Sequence, residues 1–186
     1  MRKKILLSKS QGDVTIEPWL RGLGFEVVPP GTRVDSWLHG VVIGGGSDPN
    51  KKDEKRDRLE HELVIMAVKE RIPCLGICRG SEIVSLWGNG RLEPMSDQQA
   101  PSHRNTWHDV VVDYRTIKGV LKLWSNHHLK FVDPGKMRAC AWSGDGLIEA
   151  LIKEDDRVLG VLWHPEKSDD DGISSVVPWL EWVHSR

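Results

Sequence analysis

Cys78 and His164 are the residues of this chain whose types and surroundings point most directly to chemistry. Cys78 lies in Ile72-Pro73-Cys74-Leu75-Gly76-Ile77-Cys78-Arg79-Gly80-Ser81-Glu82, an apolar run that reaches a small-residue turn and then reads as a helix. Glycines on both sides of a nucleophile mark a tight strand-to-helix turn, which lifts the side chain out of the sheet and sets it at a helix N-terminus. That position is expected to lower the thiol pKa. His164 follows the apolar run Val158-Leu159-Gly160-Val161-Leu162-Trp163, and Glu166 stands two residues beyond it. Pro165 fixes the turn, so the Glu166 carboxylate can reach back to the imidazole, hold its tautomer and leave the other ring nitrogen for the thiol. A sulfur nucleophile, a base and a group that orients the base are the parts of a Cys-His-Glu acyl-transfer site.

Two further motifs are polar patches at the ends of apolar runs. Gly44-Gly45-Gly46-Ser47-Asp48 follows Val41-Val42-Ile43. It lacks the lysine of a P-loop and the spacing of a dinucleotide fingerprint. Its use would be to bring a backbone N–H to a developing oxyanion, where a Cβ would intrude; a plain turn is the alternative. Trp124-Ser125-Asn126-His127-His128 follows another apolar stretch. Adjacent strand residues point opposite ways, so the histidine pair suggests a substrate-side or structural role rather than a metal site. Cys74 and Cys140 read as buried hydrophobic residues. No second Cys/His pair completes a zinc site with Cys74 and Cys78, so structural zinc is not expected, and acyl transfer by a thiol, an imidazole and a carboxylate requires no metal or organic cofactor.

Composition narrows the class. The chain has 186 residues, enough for one domain spanning 1–186 with a substantial core. A net charge of −1 gives no electrostatic case for nucleic acid or an anionic membrane as partner. The N-terminal apolar run is too short for a signal peptide, and no run approaches a membrane span. Three cysteines, an odd and sparse set, fit a reducing compartment and a cytoplasmic protein. Nine tryptophans are scattered along the chain and read as core and interface residues. Trp124 and Trp163 adjoin polar motifs and are candidates to line a pocket.

The elements that must position these residues follow from apolar periodicity and from turn residues. Strands are expected at Lys4–Leu7, Phe25–Val28, Val41–Ile43 and Ile72–Ile77, with helices at Thr15–Leu23, Glu54–Glu70 and about Arg79–Trp87. In the longest helix, Leu59, Leu63, Met66 and Ala67 share one face, which is expected to be the buried one. Asn50–Arg58, rich in both signs of charge, reads as a solvated loop and helix start. This β-α-β pattern implies a parallel sheet with covering helices. The second half changes to short strands, at Val110–Val112, Leu121–Trp124, Arg138–Trp142, Leu147–Ile152 and Val158–Trp163, and a last helix lies near Val176–His184.

Together these motifs resemble the class I glutamine amidotransferase superfamily, and within it the γ-glutamyl hydrolase branch typified by γ-glutamyl-γ-aminobutyrate hydrolases. The resemblance runs from about Gly44 to Glu166. It rests on Gly44-Gly45-Gly46-Ser47-Asp48-Pro49, Arg56-Asp57 with Glu60, Leu75-Gly76-Ile77-Cys78-Arg79-Gly80, Ala100-Pro101-Ser102-His103, Ser125-Asn126-His127-His128, Asp145-Gly146-Leu147-Ile148-Glu149-Ala150 and Leu159-Gly160-Val161-Leu162-Trp163-His164-Pro165-Glu166. It implies an α/β flavodoxin-like three-layer sandwich, with a mostly parallel central sheet and an added antiparallel β section. It also implies that Cys78, His164 and Glu166 act on the γ-glutamyl amide of a small molecule. Gly45, Gly46 and Arg79 would supply the oxyanion site, and Glu82, Asn126, His127 and His128 would hold substrate. Glu82 stands where the family usually has glutamine, and Leu129 follows His127-His128 where glutamine is usual. The same chemistry serves solitary hydrolases and glutaminase subunits that pass ammonia to a separate synthetase partner.

Overall fold

The structure is a computed structural model and describes residues 2–10, 13–49 and 54–186. Its centre is a sheet whose main path runs β2-β1-β3-β4-β11-β10-β9-β6-β7. The parallel part joins β1 (Lys4–Ser8), β2 (Glu26–Val28), β3 (Gly40–Ile43), β4 (Cys74–Ile77) and β11 (Val158–Val161). These strands are mostly apolar throughout because both their faces are covered. In β1, Ile5 and Leu7 join one core and Leu6 the other, the two-residue alternation of a strand. Helices α1 (Ile16–Gly22) and α5 (Val177–His184) cover the first face through Ile16, Leu20, Trp179 and Val183. Helices α2 (Glu54–Lys69) and α3 (Arg79–Trp87) cover the other through Val64, Ala67, Ile83 and Val84. The result is the expected three-layer α/β sandwich.

Beyond β11 the sheet turns antiparallel, through β10 (Ile148–Lys153), β9 (Arg138–Ser143), β6 (Thr106–Asp113) and β7 (Lys118–Ser125). This is the added β section. Two of its strands escape the periodicity reading. β5 (Arg91–Pro94) and β8 (Leu129–Asp133) pair with each other, and β8 makes one register contact with β10. A short helix, α4 (Asp169–Ser174), also lies between His164 and α5.

One helix face differs from the periodicity expectation. The buried residues of α2 are Glu60, Val64 and Ala67, while Leu59 is 52% and Met66 39% exposed. The helix turns its acid inward because Glu60 has buried cationic partners, described below. Leu59, Leu63 and Met66 instead line a surface groove of about 480 Å³ with Pro30 and Val34. Of the charged stretch Asn50–Arg58, residues 50–53 lie outside the described residues. The remainder opens α2, and Arg56 is only 16% exposed rather than solvated.

Candidate active site

Cys78 caps the N-terminus of α3 with φ 52° and ψ −114°, a backbone conformation that a residue with a side chain rarely adopts. Crowding around it explains the glycines: a Cβ on Gly80 would strike the Ile43 carbonyl, and one on Gly76 would strike the Gly80 carbonyl. Helix and strands thus pack closely at the elbow, and Cys78 takes up the sharp turn. Its amide donates to Val161 O at 2.8 Å and its carbonyl accepts from Ser81 N at 2.9 Å, which pins the turn at both ends.

β4 and β11 are parallel neighbours with Ile77 opposite Val161, so the segments leaving them, which carry Cys78 and His164, emerge from the same edge. His164 Nδ1 lies 2.7 Å from Glu166 Oε1, and Thr15 Oγ1 donates to the same oxygen at 3.3 Å. The His164 amide donates to Trp124 O at 2.9 Å, and Ser168 Oγ donates to His164 O at 2.7 Å. The Trp124 ring stands edge-on to the imidazole at 5.1 Å, and Lys167 Nζ lies 4.2 Å over that indole. Trp124 is therefore the tryptophan at the site. Trp163 is fully buried in the core and donates from Nε1 to Ser175 Oγ at 2.9 Å.

The glycine loop packs against the histidine. A Cβ on Gly45 would sit 3.4 Å from His164 Cε1. Gly45, Gly46, Thr15, His164 and Lys167 line a cavity of about 290 Å³. The loop is held from behind by a buried ionic network that sequence spacing did not reveal. Arg56 donates from Nη2 to Gly45 O at 3.1 Å and from Nε to Glu60 Oε1 at 2.9 Å. Ser8 Oγ donates to the same Glu60 oxygen at 2.6 Å. Arg79, 2% exposed, pairs with Glu60 and Asp57. Glu60 thereby ties the first strand, the glycine loop and the residue after Cys78 to α2. A signal was available: a buried helix face containing Glu needs a cation, and Arg79 follows the elbow directly.

Electrostatics at the thiol run against the sequence expectation. Burial pushes the Cys78 thiol up, the Glu82 carboxylate adds to the rise, and the backbone N–H of Arg79 opposes them. Desolvation outweighs the helix terminus and favours the neutral thiol. Cys78 Sγ donates to Asn126 O at 3.6 Å. Glu82 is 1% exposed on α3, close enough to act on the sulfur.

The Asn126–His128 segment splits in the expected way. Asn126 and His128 are exposed, while His127 is buried and turned inward. Its partner is Glu149, on β10, with His127 Nε2 at 3.5 Å from Oε2. His103 reaches the same carboxylate, and its carbonyl accepts from the His127 amide at 3.1 Å. Burial acts to raise the Glu149 pKa, but His127 and His103 outweigh it and hold the carboxyl at about 2. His127 thus supports the segment from beneath, and Asn126 and His128 remain at the surface.

Residues 38–166 match the family model for peptidase C26. The chain belongs to the peptidase C26 family. This family is the γ-glutamyl hydrolase branch of the class I glutamine amidotransferase superfamily. Among curated proteins, the chain is 25% identical over 150 residues to a gamma-glutamyl-CDP-amidate hydrolase of Campylobacter jejuni, covering 78% of this chain and 70% of that protein. It is 30% identical over 160 residues to a gamma-glutamyl-gamma-aminobutyrate hydrolase of Escherichia coli O157:H7, covering 73% of this chain and 63% of that one. The chain therefore spans about two thirds of the length of these curated relatives. Family and relatives support a glutamine amidotransferase-like amidohydrolase. The solved structure of a glutamine amidotransferase from Thermotoga maritima superposes with a TM-score of 0.73 at 17% identity, over 97% of this chain and 84% of that one. That of a putative GMP synthase protein from Thermoplasma acidophilum superposes with a TM-score of 0.76 at 20% identity, over 100% and 96%. Both show the shared fold. No helix among the described residues is long and apolar enough to cross a membrane.

Proposed function

We propose that this peptidase C26 protein hydrolyses the γ-glutamyl amide bond of a small γ-glutamyl amine, releasing glutamate and the amine. The observation that carries the reading is the Cys78 elbow at the N-terminus of α3, beside the strand that leads to His164 with Glu166 2.7 Å from its Nδ1. The hydrolase names of the curated relatives supply the substrate class.

Because burial favours the protonated sulfur, nucleophile and base act together. Glu166 accepts from His164 Nδ1–H and leaves Nε2 to take the thiol proton as sulfur attacks the γ-carbonyl. Negative charge moves to the carbonyl oxygen, where backbone N–H groups of Arg79 and of Gly45 or Gly46 receive it, each contributing roughly 2.7–4 kcal/mol. His164 returns its proton to the amine nitrogen as the C–N bond breaks. Water, deprotonated by the same imidazole, then cleaves the thioester, glutamate leaves and the thiol re-forms. Asn126, whose carbonyl faces the sulfur, and exposed His128 would bind substrate with Glu82, and His127 would brace them. Asp57, Arg56 and Glu60 hold the oxyanion loop and the Arg79 amide in place.

A panel of γ-glutamyl amines, glutamine included, offered to the purified protein alone tests this. Glutamate release from amine conjugates exceeding that from glutamine is the expected result. Inactivity on every conjugate, with glutaminase activity appearing only beside a synthetase, would replace the reading with ammonia delivery.

A further inference from the structure

Three side chains distant in sequence meet behind the candidate active site: His103 ahead of β6, His127 after β7 and Glu149 on β10. None is more than 2% exposed, and their ligating atoms lie within 4.8 Å of one another. His103 Nδ1 is 2.9 Å from Glu149 Oε1, and His127 Nε2 is 3.5 Å from Glu149 Oε2. Yet none of these four buried atoms takes part in an aligned hydrogen bond. A buried carboxylate faced by two imidazoles can be held by a proton on each inward nitrogen or, in their place, by one shared cation.

The outward nitrogens of both rings are engaged. His103 Nε2 lies 3.1 Å from Asp145 Oδ2, and Asp145 in turn accepts from Ser143 Oγ at 2.5 Å. His127 Nδ1 lies 2.8 Å from the Leu129 carbonyl oxygen. A carbonyl and a carboxylate can only accept, so each outward nitrogen can keep its proton at Leu129 O or Asp145, and release of the proton from each inward nitrogen would leave two lone pairs and the Glu149 carboxylate facing one point. Metal-binding histidines are held in this way: one nitrogen donates to a carboxylate or carbonyl, and the other faces the ion.

We propose that His103, His127 and Glu149 bind one Zn²⁺, with water as the fourth ligand. Two imidazole nitrogens and a carboxylate oxygen suit zinc, whereas Mg²⁺ and Ca²⁺ prefer oxygen ligands throughout. The role is structural. The ion would lock the β7–β8 connection to β10 and so fix Asn126, whose carbonyl faces Cys78 Sγ at 3.6 Å. This site is separate from the proposed catalytic chemistry and stands or falls without it.

The test is calorimetric and thermal titration of chelator-stripped full-length protein with ZnCl₂, with MgCl₂ and CaCl₂ alongside. One equivalent of zinc is expected, with a rise in Tm of about 5–10 °C at a hundredfold excess over Kd, and no response to the other two ions. Cys78→Ala should bind zinc as the wild type does, which separates this site from any Cys78–His164 binding. His103→Gln and Glu149→Gln should lose the equivalent. If those variants fail to fold, the wild-type and Cys78→Ala titrations decide alone. Absence of zinc uptake by the wild type, uptake that disappears in Cys78→Ala, or uptake retained in a folded Glu149→Gln would overturn the proposal.

Discussion

His164 Nδ1 and Glu166 Oε1 stand 2.7 Å apart, with Glu166 in turn receiving the Thr15 hydroxyl. Glu166→Gln keeps the shape but can present an N–H donor to the imidazole, which favours the wrong tautomer. By analogy with the orienting acid of other triads, turnover should fall by about 10²–10⁴-fold. Tm should change little. Steady-state kinetics alongside a melting curve checks both, and unchanged turnover would remove Glu166 from the mechanism.

Glu60→Ala should destabilise the fold by about 3–5 kcal/mol, because it leaves the Arg79 guanidinium buried with less compensation. The double change Glu60→Ala with Arg79→Met should cost less than the sum of the single changes, since the two side chains share one buried network. Urea unfolding of the three variants measures this. A strictly additive result would show that the pair is not coupled.

Gly80→Ala places a methyl group against the Ile43 carbonyl. The strand or the helix must then move, at a cost of about 1–3 kcal/mol. Because the shift is at the elbow, activity should fall more than stability alone explains. Denaturation midpoints and kcat/KM measured on the same preparation separate the two effects.

The raised thiol pKa at Cys78 has a clear sign. An acid whose pKa is pushed up keeps its neutral form to higher pH, so alkylation by a small reagent should still be rising above about pH 8.5, where an ordinary thiol begins to level off. Mass spectrometry resolves Cys78 from buried Cys74 and Cys140. A rate already flat at acidic pH would instead show a preformed thiolate, and proton transfer to His164 would then precede substrate binding.

Much of this molecule could be read from the chain. Buried parallel strands such as Val41–Ile43 and Cys74–Ile77 are short apolar runs that stop at glycine or at Cys78, and tertiary context does not alter that signal. The motifs at Cys78 and His164–Glu166 follow such strands, so their meeting at one edge was legible, whereas Trp124–His128 arrives from the end of the antiparallel strand β7. β5 and β8 were not: Arg91–Pro94 contains Pro and two charged residues, and its partner β8 is adjacent to it only in space. The buried face of α2 misled for a related reason. Periodicity assumes that apolar residues turn inward, whereas Glu60 does so because Arg79 and Arg56 wait there. Glu149 was the missed clue to the histidine cluster, since an acid within Ile148-Glu149-Ala150-Leu151-Ile152 on a covered strand requires buried partners. Which partners those are is a matter of long-range contact and cannot be found by spacing. Spacing places Cys78 at a helix terminus, which favours a low pKa, but burial, which acts the other way, enters only once the fold is formed.

The account rests on a covalent bond between Cys78 and the γ-glutamyl group. Rapid acid quench of the wild-type protein with a γ-glutamyl amine, followed by peptide mass spectrometry, measures it directly. The expected result is one γ-glutamyl adduct on the peptide bearing Cys78, absent from Cys78→Ala, which should fold normally and show no turnover. Hydrolysis by Cys78→Ala at the wild-type rate, with no adduct in either protein, would contradict it.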